Sequence, residues 1–206
     1  MISAHEAVGR LREGNRRFVS NVGGTDRVLN SVRRAQLAQT QEPFAVVLGC
    51  SDSRVPPEAV FDQGPGNLFV IRVAGNIAAP SQVGSVEFAA ERFGTRLVVV
   101  LGHTRCGAVQ STFEALQKPT KSQSPNLQEI VNRVRPSVES WVKTELKGDM
   151  EDVVAHAVRD NIRSTVDQLR HKSQVLSQLV VKDGLLVVGA EYCLDTGVVA
   201  FLDIEG

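Results

Sequence analysis

The sequence is poor in several features that would place a protein in a particular class. It has three cysteines among 206 residues, an odd and sparse count that does not suit a disulfide framework and fits a reducing cytoplasm. Lys+Arg and Asp+Glu both number 23, so the basic excess that nucleic acid or an anionic membrane would favour is missing. No apolar run approaches the ~20 residues of a transmembrane helix, and the N-terminus lacks the continuous apolar segment of a signal peptide. We expect a cytoplasmic protein that binds neither nucleic acid nor a membrane.

Short apolar runs rich in β-branched residues are the most regular feature of the chain. They predict four buried strands at 44–50, 67–75, 96–103 and 184–192. Because these runs do not alternate with polar residues, they are typical of a parallel sheet covered on both faces. Helical patterns separate them at 82–93, 108–116 and 126–180. Such alternation implies the right-handed crossovers of an α/β domain.

The two ends of the chain complete the expected fold. Residues 195–197 read as a turn, so 198–204 should return as an antiparallel edge strand. We expect one α/β domain over residues 1–206, with a mainly parallel sheet of about four strands plus that edge strand, flanked by helices. An extended N-terminal helix forms an arm over residues 1–40, ahead of a core at 41–206. Whether the arm covers its own sheet or wraps a partner chain stays open.

Chemically active side chains stand where two of these strands end. Cys50 follows the first run, with Asp52 and Arg54 just beyond it, and His103 ends the third run, with Cys106 beyond. In an open α/β sheet, ligands gather at the carboxyl ends of the strands. If the first and third strands are neighbours, these side chains converge on one small volume.

Two thiolates and one imidazole are good ligands for zinc. Three protein ligands with one open position indicate a catalytic zinc, whereas structural sites are closed by four. Asp52 could close the site as the fourth ligand, or Arg54 could hold Asp52 in a bidentate ion pair. In the second case the open position would take water, whose pKa zinc lowers to ~7.

Simpler explanations exist for each residue taken alone. Cys50 could be a small core residue, and His103 a hydrogen-bonded core or turn residue. Asp52 could cap the following helix, and Arg54 could be a solvated charge. A Cys50 nucleophile with His103 as its base is also possible, but it leaves Cys106 without a role. The combination of all these residues at two strand ends favours the metal site.

Three motifs together resemble the β-class carbonic anhydrases. They are CSDSR at 50–54, FDQGPGNLFVIRVAGN at 61–76 and GHTRCGAV at 102–109. The resemblance extends over roughly the whole chain, and 126–180 is its least diagnostic part.

This resemblance implies a metal centre and a reaction. Cys50, His103 and Cys106 would bind one Zn²⁺ per subunit, and the pair of Asp52 and Arg54 would control the fourth zinc position. Zinc-bound hydroxide would hydrate CO₂ reversibly to bicarbonate and a proton. Because thiolate ligands donate more charge than imidazoles, the bound water should be a weaker acid, and activity should rise with pH.

The resemblance also implies a substrate pocket and self-association. Gln41 and Gly107 match residues that hydrogen-bond the substrate, and Phe69, Ala74 and Phe88 match apolar pocket positions. Family members are dimers or tetramers whose pocket is partly built by the neighbouring subunit. The expected partners are therefore CO₂ or bicarbonate and a second copy of the chain.

Regulation and two rival functions depend on the same scaffold. Some relatives carry a noncatalytic bicarbonate site made by a tryptophan, an arginine and a tyrosine; here Val47 replaces the tryptophan, while Arg72 and Tyr192 stand at the other two positions. We therefore expect the zinc to be open to water at neutral pH. The alternatives are hydrolysis of CS₂ or COS on the same scaffold, and a noncatalytic zinc or redox-sensing protein with a closed Cys₂-His-Asp site.

Overall fold

One mostly parallel sheet organises the molecule. The computed structural model describes residues 2–23, 31–117, 124–143 and 150–204. Its strands are β1 Ala45–Gly49, β2 Leu68–Arg72, β3 Leu97–His103, β4 Leu186–Tyr192 and β5 Val199–Leu202. They lie in the order β2-β1-β3-β4-β5, with β5 antiparallel to β4 and the other pairs parallel. The predicted mainly parallel sheet with an antiparallel edge strand is confirmed.

Helices precede, connect and follow the strands. They are α1 Ala4–Val19, α2 Ser31–Leu37, α3 Pro57–Val60, α4 Pro80–Arg92, α5 Gly107–Gln117, α6 Pro125–Lys143, α7 Met150–Lys172 and α8 Gln174–Lys182. The helical pattern at 126–180 therefore divides into three helices, and α2 and α3 lacked a sequence signal. Most of the polar segment after α5 lies outside the described residues. Within the described residues, none of the helices combines the length and apolar character needed to cross a bilayer.

The sheet separates two apolar cores. Because successive side chains of a strand point to opposite faces, Val46 and Leu48 face α4 through α8 and belong to the same apolar cluster as Ile162. Val47 points the other way and packs with Leu11 of α1. The N-terminal helix thus covers its own sheet, which favours that alternative for the arm within one chain.

Two glycines bring α7 very close to the strand that carries His103. A Cβ atom at Gly102 of β3, or at Gly189 of β4, would lie 2.6 Å from side-chain atoms of Ile162. Since real Cβ contacts are essentially never this short, a larger residue at either position would force Ile162 or α7 to move away from the sheet. This packing fixes the end of β3 at the position where the next residues form the site.

Candidate metal centre

The strand register brings the predicted site together. Gly49, the last residue of β1, pairs with Leu101 of β3, so both strands end at the same edge of the sheet. Cys50, His103 and Cys106 follow from there, and their ligand atoms all lie within 4.8 Å of one another. All three side chains are buried.

The hydrogen bond of His103 determines which ring nitrogen is free. Its Nδ1 lies 3.0 Å from the carbonyl oxygen of Thr104. A carbonyl only accepts hydrogen bonds, so Nδ1 carries the proton and Nε2 presents a lone pair in the neutral ring. Nε2 is buried and has no hydrogen-bond partner among the described residues. An unpaired buried nitrogen is costly, and a backbone carbonyl on the other ring nitrogen is the usual support of a metal-binding histidine.

Cys50 is set up to be a thiolate. The hydrogen bond from the Cys106 thiol holds the pKa of Cys50 well below its usual value. Backbone N–H groups of Gly75 and Asp52 also lower this pKa, against the opposing effect of burial. Thiolate is the form in which cysteine binds a metal.

Cys106 is the complementary member of the pair. Its hydrogen bond to Cys50 and its burial raise the pKa of Cys106, so the two sulfur atoms share one proton. The carbonyl of Cys106 accepts the N–H of Gln110 at 3.0 Å as α5 begins. The N–H groups of Ala108 and Val109 act in the opposite direction and lower this pKa, because a helix N-terminus favours negative charge. Once a metal replaces the shared proton, the helix start supports the second thiolate.

Asp52 borders the cluster but is held by Arg54. The guanidinium donates from Nε to Oδ1 at 2.9 Å and from Nη2 to Oδ2 at 2.7 Å, and the backbone N–H of Arg54 donates to Oδ1 at 3.0 Å. These hydrogen bonds hold the pKa of Asp52 well below its usual range. Oδ2 lies 3.9 Å from Nε2 of His103. The carboxylate is therefore charged, close to the cluster and engaged with Arg54.

The donor set fits zinc. Two sulfur atoms and one imidazole nitrogen, all buried and within 4.8 Å of one another, are the soft and borderline ligands that zinc prefers. A metal ion bound there would give the unpartnered Nε2 of His103 a partner. It would also replace the proton that the two sulfur atoms share. Asp52 borders the cluster near His103 and is paired with Arg54.

Two of the predicted pocket residues adjoin the cluster. Ala74 begins a 3₁₀ turn, Ala74–Asn76, whose Gly75 supports the sulfur of Cys50. Gly107 follows Cys106 directly and is the first residue of α5. It is exposed, and its Cα faces open space.

The other three predicted pocket residues, Gln41, Phe69 and Phe88, lie away from the cluster of their own chain. Gln41 is exposed and precedes β1, whereas Cys50 follows it; the five residues of β1 span about 16 Å. Phe69 lies in β2 opposite Val46, near the same far edge. Its ring centroid is 6.2 Å from that of Phe88, which is 52% exposed. These residues cannot complete the cluster of their own chain.

The residues at the bicarbonate-site positions are engaged in other contacts. Val47 is fully buried, and Tyr192 ends β4 with its ring 6.4 Å from that of Phe18. Arg72 instead donates to the carbonyl oxygens of Cys50 at 3.0 Å and of Asp52 at 2.6 Å. The sequence did not predict this contact, because both acceptors are backbone carbonyl oxygens, which every residue type provides.

Known proteins resemble this chain in sequence over most of its length. The family model described as carbonic anhydrase matches residues 45–199. Carbonic anhydrase 2 of Mycobacterium tuberculosis is 38% identical over 188 residues, which cover 91% of this chain and 87% of the relative. The carbonic anhydrase of Mycolicibacterium smegmatis is 39% identical over the same shares.

Solved structures agree with the sequence comparisons. A β-carbonic anhydrase of Aspergillus fumigatus superposes with a TM-score of 0.74 at 25% identity, covering 84% of this chain and 82% of that one. The β-carbonic anhydrase CcaA gives 0.75 at 25% identity, covering 96% and 95%. One of two β-carbonic anhydrases described as tetrameric, from Sordaria macrospora, gives 0.75 at 20% identity, covering 85% and 88%, and so supports the fold alone.

Proposed function

The chain belongs to the β-class carbonic anhydrase family, and from this membership we propose that it catalyses the reversible hydration of CO₂ to bicarbonate and a proton. One observation carries the assignment of the site. Cys50, His103 and Cys106 form a buried three-ligand cluster, and the neighbouring carboxylate of Asp52 is held by Arg54. Three protein ligands, with the nearby carboxylate held away by an arginine, fit a catalytic zinc site, which keeps its fourth position for water.

Zinc is the metal that we propose for this cluster, one ion per subunit. When bound, it acts as a Lewis acid that lowers the pKa of water to ~7 and so supplies a nucleophile at neutral pH. The chain contributes the ligand charge and the orientation of the ring. Cys50 and Cys106 provide the thiolates, and the Thr104 carbonyl fixes the tautomer of His103.

Asp52 would orient the attacking water. Since its pKa is far below the usual range because of Arg54, the carboxylate only accepts hydrogen bonds at neutral pH. A hydrogen bond from the water to Oδ2 would direct an oxygen lone pair toward CO₂. Arg54 keeps the carboxylate off the fourth coordination position, which supports the open form of the site.

Gly107 and Ala74 would form the substrate side of the centre. The exposed Gly107 begins α5, and its N–H can donate to an oxygen of CO₂ that gains negative charge as the bond forms. Ala74 presents a methyl group beside the turn that supports Cys50. Such a surface accepts apolar CO₂ without competing for the metal.

A second copy of the chain would complete the pocket. Gln41, Phe69 and Phe88 lie too far from the cluster of their own chain, yet they match pocket residues of the family. Near them lies a cavity of about 750 Å³, lined in part by Phe44 and Phe93, and the exposed ring of Phe88 adjoins Phe93. We infer a homodimer or tetramer in which these residues reach the neighbouring centre.

A cytoplasmic location is part of the proposal. Cys50, Cys106 and Cys193 are all free cysteines, and a reducing compartment keeps thiols in this state. Fractionation of cells that make the native protein, followed by immunodetection, tests the location.

A stopped-flow CO₂ hydration assay tests the proposed function. We expect turnover that depends on zinc content and that rises between pH 6 and 9. A fully zinc-loaded sample without activity at pH 8.5 would exclude the proposal, and assays with COS and CS₂ on that sample would then identify the hydrolase alternative. Inactivity toward all three substrates would favour the closed, noncatalytic site.

A further inference from the structure

Arg72 connects the end of β2 to the segment that carries both a metal ligand and the carboxylate beside the metal. Its Nε donates to the carbonyl oxygen of Cys50 at 3.0 Å. Its Nη2 donates to the carbonyl oxygen of Asp52 at 2.6 Å. One guanidinium therefore bridges two carbonyls of the same short segment.

Backbone hydrogen bonds extend this connection. The N–H of Val73 donates to the carbonyl of Gly49 at 3.1 Å, and the N–H of Ser51 donates to the carbonyl of Val73 at 3.3 Å. Residues 49–52 are thus attached to residues 72–73 at four points. The two side-chain bonds are the ones that depend on the amino-acid type at position 72.

The geometry needs an arginine at this position. The donors of a guanidinium lie in a rigid planar fork that can serve two acceptors at once, whereas a lysine ammonium is a point charge on a flexible stem. Arg54 holds Asp52 by its carboxylate, and Arg72 holds the same residue by its backbone. Asp52 is fixed from both ends.

We propose that Arg72 is a positioning residue that keeps the Asp52 carboxylate on Arg54 and out of the fourth metal position. The inference rests on the proposed function, because it needs a metal at the cluster. Oδ2 of Asp52 already lies 3.9 Å from Nε2 of His103, so a small movement of the backbone would bring the carboxylate to the ion. Without Arg72, the positive charge of the metal draws Asp52 into coordination and closes the site.

Cobalt-substituted protein tests this directly, because the visible spectrum of Co²⁺ reports its coordination. Thiocyanate is the probe for an open fourth position. We expect it to shift the spectrum of the wild type, and we expect Arg72→Gln to weaken thiocyanate binding by about ten-fold or more, the range of a lost charge-assisted hydrogen bond. Arg72→Lys should behave like Arg72→Gln, because it keeps the charge and loses the fork.

A second background shows whether the effect passes through Asp52. In Asp52→Asn protein the neutral amide is a poor competitor for the metal, so adding Arg72→Gln should change thiocyanate binding by less than about two-fold. The larger loss in the wild-type background would then measure the coupling between Arg72 and Asp52. Arg96→Gln is the matched control, since it removes an arginine-to-carbonyl bond of 2.9 Å to Ala90 at the opposite edge of the sheet. It should bind thiocyanate as the wild type does.

The outcomes separate this inference from the proposed function. Unchanged thiocyanate binding in Arg72→Gln and Arg72→Lys would overturn the positioning role and leave the function intact. An equal loss in the Asp52→Asn background would also overturn it, because the effect would not depend on the carboxylate. If wild-type protein takes up no Co²⁺, or its spectrum ignores thiocyanate, the open metal site itself is wrong and the inference falls with it.

Discussion

At the scale of single residues, the chemistry of the centre depends on which groups are already charged. The hydrogen bond from Cys106 and further donors lower the pKa of Cys50, so the thiolate of Cys50 is favoured. The pKa of Cys106 is raised by the same contact. The pair therefore holds one proton near neutrality, and this proton must leave when a metal binds both sulfur atoms.

Zinc binding should therefore release about one thiol proton per site at pH 6, where metal-bound water of pKa ~7 keeps its protons, rather than two. As pH falls through the lowered pKa of Cys50, its thiol becomes protonated as well, so the number released should rise. Calorimetry of zinc binding to metal-free protein, in buffers of different ionisation enthalpy, measures it. Cys193→Ser, which changes a free cysteine outside the cluster, should give the same value. Release of two protons at pH 6 would contradict the shared proton.

Replacing Arg54 by Ala should reduce CO₂ hydration by about 10²-fold or more, because Asp52 is then free to coordinate the metal or to turn away from the water. Arg163→Ala provides the control, since its side chain is similarly exposed and its pairing with Asp203, at 3.4 Å, lies away from the cluster. That variant should retain wild-type activity. Near-normal turnover of the Arg54→Ala protein would mean that Asp52 needs no restraint.

The pH dependence of the rate should not come from Asp52. Its pKa is lowered in the folded protein by Arg54, so the stabilisation from this pair is complete above the unfolded value of ~3.9 and is lost only as pH falls through the folded value. Between pH 6 and 9 the carboxylate stays charged. A rate that rises in this window therefore reports ionisation of the water. In Asp52→Asn protein the midpoint of the rise should remain in the same window, even though the rate is lower.

At the scale of secondary structure, apolar runs predicted the strands well, because a strand that is buried on both faces consists almost entirely of apolar residues. The first and third strands ended within one residue of the prediction. The second was predicted to reach residue 75 but ends at Arg72, since Gly75 adopts φ 72° and turns the chain. That turn supports Cys50 through a backbone N–H, and a contact made by a backbone group leaves little trace in the sequence.

Glycine at position 102 should be required for the packing of α7 on the sheet. A methyl group added to Gly102 would meet Ile162 at 2.6 Å, so we expect Gly102→Ala to lower the free energy of unfolding by about 1–3 kcal/mol. Ile162→Ala alone should cost about 2–5 kcal/mol. The double variant should cost less than the sum, because the smaller side chain makes room for the added methyl group. Urea unfolding of the metal-free proteins measures all three.

Gly84→Ala is the control for that experiment. Gly84 lies inside α4, is exposed, and has nothing within 4 Å of an added Cβ. The same substitution should therefore raise the free energy of unfolding by up to about 1 kcal/mol, since alanine has the higher helix propensity. Strictly additive costs for Gly102→Ala and Ile162→Ala would show that the two side chains do not compete for the same space.

At the scale of the whole molecule, the sheet places the pocket residues at two edges. Cys50 and Gly107 lie at the carboxyl edge of β1 and β3, whereas Gln41 precedes β1 at the other edge. Resemblance to the family identified Gln41 and Gly107 as pocket residues. The sequence could not show that they lie far apart in one chain, because their separation in space depends on the direction of β1 and not on the number of residues between them. A centre assembled from two copies reconciles the match with the geometry.

Mixed assemblies of two defective chains test whether Gln41 acts on the neighbouring centre. Gln41→Ala should lower kcat by about 10²-fold, the usual effect of losing one donor to a developing oxyanion, and Cys50→Ser should abolish zinc binding. Co-expression with two different affinity tags, followed by two purification steps, isolates the mixed assembly. If Gln41 acts across the interface, a mixed dimer has one complete centre and about half of the wild-type activity. If Gln41 acted within its own chain, both centres would be defective and the mixture would be no more active than Gln41→Ala alone. Gln39→Ala, which changes an exposed glutamine two residues earlier, should leave the activity of the wild-type assembly unchanged.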